Sequence, residues 1–306
     1  FLAIPSLCWW NASESFVMGL TWAGLILSFL VTIGLTNALA CFILWALYLS
    51  IVNAGQLFYG FGWESLLLEI TLLCVFLCPI KDWRPFPKNH TPPKIIIILL
   101  LWLLFRNMFG AGLIKLRGDQ SWRDLTTLFY FFETQPLPNP LSPVFHNLPP
   151  FILKIGVFFN HISELIIPFL LFGSKNSRRF SGIVIILFQS TLIISGNLSF
   201  LNHLTLLNCL VCFDDSDYKK LLSILPKKIN RTLSPMITKI DKKPYKNNKL
   251  TTPQLLTVSA FSFLIIILSI KPILNLINPK QIMNTSFDPF RIVNTYGALG
   301  TVGKKR

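Results

Sequence analysis

Apolar residues in this chain recur in runs too long for the core of an ordinary soluble domain. Segments 16–35, 39–52, 63–77, 95–114, 151–172, 183–194, 198–213 and 255–270 are dominated by Leu, Ile, Val and Phe. A helix crossing the ~30 Å hydrocarbon core of a bilayer needs roughly 20 apolar residues. The longer runs meet that length, and the shorter ones suit tilted or re-entrant helices packed inside a bundle. Pro79 is expected to stop the third run and Pro272 the eighth, because proline lacks the N–H that a helix interior needs. The reading is an all-α fold, a polytopic integral membrane bundle with about eight spans.

Composition agrees. Of 306 residues, 52% are hydrophobic and only 13% charged, against about 25% charged in soluble domains. A net charge of +15 would point to nucleic acid in a soluble protein. Here much of it is concentrated between Lys219 and Lys249, between two apolar runs, where a basic loop meets anionic lipid. Membrane lipids are therefore the expected partner, and nucleic acid is not. Cys8, Cys41, Cys74, Cys78, Cys209 and Cys212 lie mostly in apolar runs and read as small hydrophobes. The Cys209–Cys212 pair has no second pair or paired histidines to complete a zinc site, so no metal or cofactor is expected.

Alternating loops place Lys81, Arg84, Lys88, Lys94, Lys175, Arg178, Arg179 and the Lys219–Lys249 block on one side. That more basic side is assigned to the cytoplasm. The division expected is a transmembrane domain over 1–272 and a lumenal tail over 273–306. The first has a lumenal loop at 115–150 and a basic cytoplasmic loop at 214–250. Asn11 and Asn284 head glycosylation sequons on the lumenal side. The sequon at Asn230 would be cytoplasmic and unused.

Polar residues inside apolar runs are costly. A charge at the bilayer centre costs at least ~2.5–3.5 kcal/mol, so each needs a partner or water. Glu64, Glu69, Arg106, His161 and Glu164 are of this kind. Glu69 or Glu164 is the expected partner of Arg106. His161 and Glu164, three apart, would share a helical face. Two readings stand: a polar network that fixes helix packing, or a catalytic or transport site with His161 and Glu164 as a proton-transfer pair.

The loop over 115–150 is the most distinctive stretch. Lys115, Arg117, Asp119, Arg123 and Asp124 interleave both charge signs around Trp122, and Glu133 and Gln135 precede Pro136, Pro138, Asn139 and Pro140. Leu125, Leu128 and Phe129 recur at helical spacing, and the prolines then enforce extended chain. The loop is either a docking surface or a lid over the bundle.

Long strings here resemble the lipase maturation factor family. They include Trp45-Ala-Leu-Tyr-Leu-Ser50, Asn53-Ala-Gly-Gln56, Phe61-Gly-Trp-Glu-Ser65 with Leu68-Glu69, and Phe76-Leu-Cys-Pro79. Arg106 with Met108-Phe-Gly-Ala-Gly-Leu-Ile-Lys-Leu-Arg-Gly-Asp119 and Trp122-Arg-Asp-Leu125 follows. Next come Glu133-Thr-Gln-Pro-Leu-Pro-Asn-Pro140, Asn160-His161 with Glu164-Leu165, Ser195-Gly-Asn-Leu-Ser-Phe-Leu-Asn202, and Cys212-Phe-Asp-Asp215. The resemblance is dense from Trp45 to Asp215 and returns at Arg291-Ile-Val-Asn-Thr-Tyr-Gly297. It implies a chaperone-like protein of the endoplasmic-reticulum membrane with a client lipase as partner and no known reaction. On that pattern Asn160, Asn197, Asn202, Asp214 and Asp215 form a polar bundle network. The 115–150 residues named above would bind the client. The tail past Gly297 reads as the start of a truncated soluble domain. A membrane enzyme centred on Glu64, Glu69, Arg106, His161 and Glu164 is the alternative, and a transporter the third reading.

Overall fold

The computed structural model describes residues 3–84, 87, 90–135, 137–224 and 250–302. The basic block from 225 to 249, Lys88, Pro136 and the Asn230 sequon lie outside them.

The chain is helical throughout the bundle. Helix α1 (Glu14–Thr32) is capped by Ser13, whose side chain accepts from Phe16 N–H, and α2 (Ala38–Gly55) by Asn37 in the same way. Each cap satisfies one of the N–H groups a helix start leaves unpaired. Helix α3 is Gly62–Leu77 and α4 is Lys94–Arg117. Three short helices follow: α5 (Gln120–Arg123), α6 (Leu128–Thr134) and α7 (Ser142–His146). Helix α8 (Pro150–His161) continues through a π turn at Ile162–Ile166 into a 3-10 segment at Ile167–Phe172. Pro168 sits in that transition and cannot donate the α-helical bond. Helices α9 (Lys175–Ser195), α10 (Leu201–Asn208), α11 (Asp215–Ile224) and α12 (Thr252–Ile277) follow among the described residues.

Among the described residues six helices are long and apolar enough to cross a membrane: Glu14–Thr32, Ala38–Tyr59, Lys94–Arg117, Pro150–Phe172, Lys175–Ser195 and Thr252–Ile277. Two other expected segments are shorter. Helix α3 has 16 residues, or about 24 Å at 1.5 Å per residue. Segment 198–213 is α10 followed by a 3-10 turn at Cys209–Cys212. One expected boundary is wrong: α12 passes through Pro272 to Ile277. Neighbouring elements satisfy a proline-interrupted helix inside a bundle.

Helix α4 is the hub, packing against α3, α10, α12 and the π and 3-10 continuation of α8. Its faces feed two apolar clusters. One joins Leu66, Leu73, Leu100, Leu103, Leu204 and Ile265, and the other joins Leu104, Phe105, Met108, Leu171, Ile185 and Phe188. Helix α1, by contrast, is barely buried, and its Trp22, Leu25, Ile26 and Phe29 face outward.

Two ends are distinguishable. At one, Ala38 N–H donates to the Pro79 carbonyl, and Arg179 of α9 reaches Asp217 of α11. At the other, Arg117 of α4 donates to the Leu276 carbonyl of α12, and Asn139 donates to the Ile193 carbonyl of α9. The short α3 packs against α2, α4 and α10, and α10 packs against α3, α4 and α9.

The segment after α12 is not helical, yet it does not leave the bundle. It returns along α4 as a strap. Ser286 and Asn294 form an antiparallel bridge, and Val293, Asn294, Thr295 and Tyr296 are buried. A side chain at Gly110 or Gly118 of α4 would run into the carbonyl oxygens of Tyr296 and Gly300, so glycine at both positions permits the close approach.

Candidate functional site

Two buried ion pairs organise the polar interior, and the strap touches the surroundings of both. In the first, Arg106 of α4 pairs with Glu69 of α3, both almost fully buried. Arg106 also donates from Nη1 to the Asn294 carbonyl at 2.7 Å. Its guanidinium lies over the Trp102 and Tyr296 rings. Glu69 accepts further bonds from the Tyr296 hydroxyl at 2.8 Å, the Asn294 side-chain amide at 3.2 Å and the Asn294 backbone N–H at 3.3 Å. Saturating the carboxylate in this way is what a buried charge requires. Of the two expected partners for Arg106, the structure selects Glu69.

Glu164 is taken by Lys115 instead. Lys115 Nζ donates to both Glu164 oxygens at 2.5 and 2.6 Å and to Asn160 Oδ1 at 3.2 Å, while Asn160 Nδ2 donates to Glu164 at 2.9 Å. The Trp122 ring lies 5.2 Å from Nζ, within cation–π range. The expected His161–Glu164 pair does not form. His161 donates from Nε2 to the Trp122 carbonyl at 3.0 Å. The π turn at Ile162–Ile166 begins directly after it and widens the helix, so residues three apart no longer align.

Between the pairs lies a cavity of about 30 Å³ lined by Lys115, Glu164, Gln189, Asn202, Thr205 and Tyr296. Gln189 Oε1 is buried without a partner. The space suits about two waters, far below the ~300–1,000 Å³ of small-molecule sites. Glu64 sits apart, accepting from the Tyr48 hydroxyl and from Trp63 Nε1.

The 115–150 residues divide into inward and outward sets. Lys115 and Trp122 are buried, and Trp122 donates from Nε1 to the Leu299 carbonyl of the strap at 2.9 Å. Arg117 reaches Gln281 and Leu276, Asp119 caps α5, and Asp119 N–H donates to the Gly300 carbonyl. Gln135 accepts from Asn197 N–H, while Asn139 and Ser142 donate to the carbonyls of Ile193 and Ser195 that end α9. Arg123, Asp124, Glu133 and Pro138 face outward.

Asn202 is buried at the cavity, but Asn197 is exposed. Asp214 and Asp215 are not part of the interior network. Asp214 pairs with Lys175 and Arg179 and caps the first turn of α11, and Asp215 is exposed. Lys175 first, and then the Ser216 hydroxyl, hold the Asp214 carboxyl well below the usual range. Arg291 of the strap is shifted down by burial, which Asp288 and Glu64 partly oppose. Asn11 is exposed, whereas Asn284 is half-buried with its amide oxygen accepting from Gly297 N–H.

Residues 1–220 match the lipase maturation factor transmembrane domain. The chain belongs to the lipase maturation factor family. It is 43% identical to lipase maturation factor 1 of Mus musculus over 283 residues, 91% of this chain and 49% of the relative. For the Homo sapiens protein of that name the identity is 40% over 311 residues, covering 100% and 55%. Lipase maturation factor 2 of Homo sapiens is 34% identical over 217 residues, 64% of this chain and 30% of the relative. The chain thus spans about half the length of the lipase maturation factor 1 relatives it matches. No solved structure matches it.

Proposed function

We propose that this member acts as a membrane-embedded, chaperone-like maturation factor for secreted lipases in the endoplasmic reticulum. Its relatives are named for lipase maturation. The observation that carries the reading is the loop between α4 and α8. Trp122, Asn139 and Ser142 clamp it to the strap and to the end of α9. Its outer side nonetheless leaves Leu137, Leu141 and Val144 exposed. An ordered loop that presents apolar residues to solvent is a docking surface for a client.

The packing of α3 and α10 among the long helices supports eight passes. The end carrying Lys81, Arg84, Lys94, Lys175, Arg178 and Arg179 then faces the cytoplasm. The α5–α7 loop, the strap and the exposed Asn11 face the lumen, where Asn11 would carry a glycan.

The test is secreted lipase activity per unit of lipase protein, in cells lacking their own family member and supplied with this chain. Rescue by the wild type, lost on Leu137→Asp/Val144→Asp at matched membrane level, is the expected result. Equal rescue by the variant would sink the docking role. No rescue by the correctly inserted wild type would show that this chain does not mature lipases by itself. A buried catalytic centre is the second reading, favoured by the Lys115–Glu164 pair at the cavity. It expects Lys115→Met to abolish activity when compared at matched protein level.

A further inference from the structure

The region before α1 and the turn after α2 meet at one end of the bundle. The Ser6 hydroxyl donates to the Ser50 carbonyl, Leu7 N–H donates to the Ser50 hydroxyl, and Asn53 donates to the Pro5 carbonyl. These bonds lash residues 5–7 to the last turns of α2. They leave Trp9 and Trp10 exposed at 61% and 79%, and Leu57 and Phe58 at 90% and 88%. Trp9 satisfies its indole N–H on the Ile4 carbonyl, so its remaining ring surface is apolar. Large side chains with almost no protein contact, fixed on two rigid attachments, are costly in water.

Their position says what covers them. Trp10 lies four residues before the start of α1, and Leu57 lies two residues past the end of α2. Both helices qualify as membrane spans, and α1 turns Met18, Trp22, Leu25 and Phe29 outward. The exposed cluster therefore continues a lipid-facing surface at the depth where aromatic residues meet headgroups. The sequence holds no Lys, Arg or His before Lys81, and Arg291, which reaches this region, is half-buried with its Nε on Asn53, so attraction to anionic lipid contributes little locally.

We propose that Trp9, Trp10, Leu57 and Phe58 form a two-point wedge that inserts into the headgroup–acyl boundary of the adjacent leaflet. The insertion is hydrophobic and independent of lipid charge.

The test uses the full chain in phosphatidylcholine nanodiscs, with acyl chains unlabelled or brominated near the glycerol. Wild type is compared with Trp9→Phe/Trp10→Phe. Brominated lipid is expected to quench emission that the double variant lacks. Aqueous acrylamide should reach that component weakly, and neither raised salt nor added phosphatidylserine should change the result. Leu57→Trp in the double variant should restore quenching by brominated lipid. A component quenched by acrylamide and untouched by brominated lipid would overturn the wedge. So would a component shielded from both, because a protein surface would then cover it.

Discussion

The two buried ion pairs of this bundle differ in who completes them. Glu69–Arg106 is finished by residues far along the chain: Asn294 and Tyr296 of the strap supply four of its hydrogen bonds. Lys115–Glu164 is completed mainly by its own neighbours, Asn160 and Trp122, and borders the water-sized cavity. The first lies away from that cavity, leaves Arg106 Nε without a partner, and depends on a long-range return of the chain. The second is local, and water can reach it. A buried charge that loses its partner is tolerated only where water or a proton can replace it, so the pairs should respond differently to the same insult.

Removing one partner of the Glu69–Arg106 pair should have the largest effect. Arg106→Met leaves Glu69 buried and uncompensated, and is expected to cost about 3–5 kcal/mol. Arg106→Met/Glu69→Leu should recover much of that loss. Thermal unfolding of the detergent-purified protein, followed by size-exclusion fluorescence, reads both. Equal loss in the single and double variants would show that the strap contacts outweigh the pair.

Expelling the strap without touching a charge comes next. Gly110→Val drives a side chain into the Tyr296 carbonyl, and is expected to cost about 1–3 kcal/mol as overpacking does. Protease cleavage within residues 284–300 should rise with it. Cleavage unchanged from wild type would mean that the strap tolerates the clash.

Lys115→Met should cost less than Arg106→Met, about 1–3 kcal/mol, because Asn160 still donates to Glu164 and the cavity admits water. A deficit as large as that of Arg106→Met would erase the distinction between the pairs.

The smallest effect lies at the opposite end. Asp214 has its carboxyl held low by Lys175. A depressed folded-state value stabilises the protein above the ordinary value and loses that contribution as pH falls. The gap in melting temperature between wild type and Asp214→Asn should therefore stay constant from neutral pH down to about 4 and narrow below it. A gap that closes at neutral pH would place the aspartate outside its ion pairs.

Much of this was legible in residue order. The long apolar runs announce themselves, because lipid imposes length and composition on any helix that crosses it. That Arg106 needs Glu69 or Glu164 followed from the cost of an unpaired charge, and the fold chose Glu69. Lys115 was readable too. Leu104, Met108, Ala111 and Lys115 recur at spacings of four, three and four, and all are buried, so the lysine continues an inward stripe of α4. Its polar neighbours Arg117 and Asp119 drew it into the loop instead. The His161–Glu164 expectation failed because an α-helical spacing was applied across a π turn. The strap was the least visible element. Residues 281–302 have no periodicity, and their partners lie some 170 to 230 positions earlier. Such contacts leave no local signal beyond the glycines at 110 and 118.

The central claim is that the strap is an integral part of the bundle. Amide hydrogen exchange of the detergent-solubilised chain tests it most directly. Protection of residues 293–296 comparable to that of α4, lost together with protection of residues 119–123 in Gly118→Val, is the expected result. Rapid exchange across 293–296 in the wild type would contradict the account.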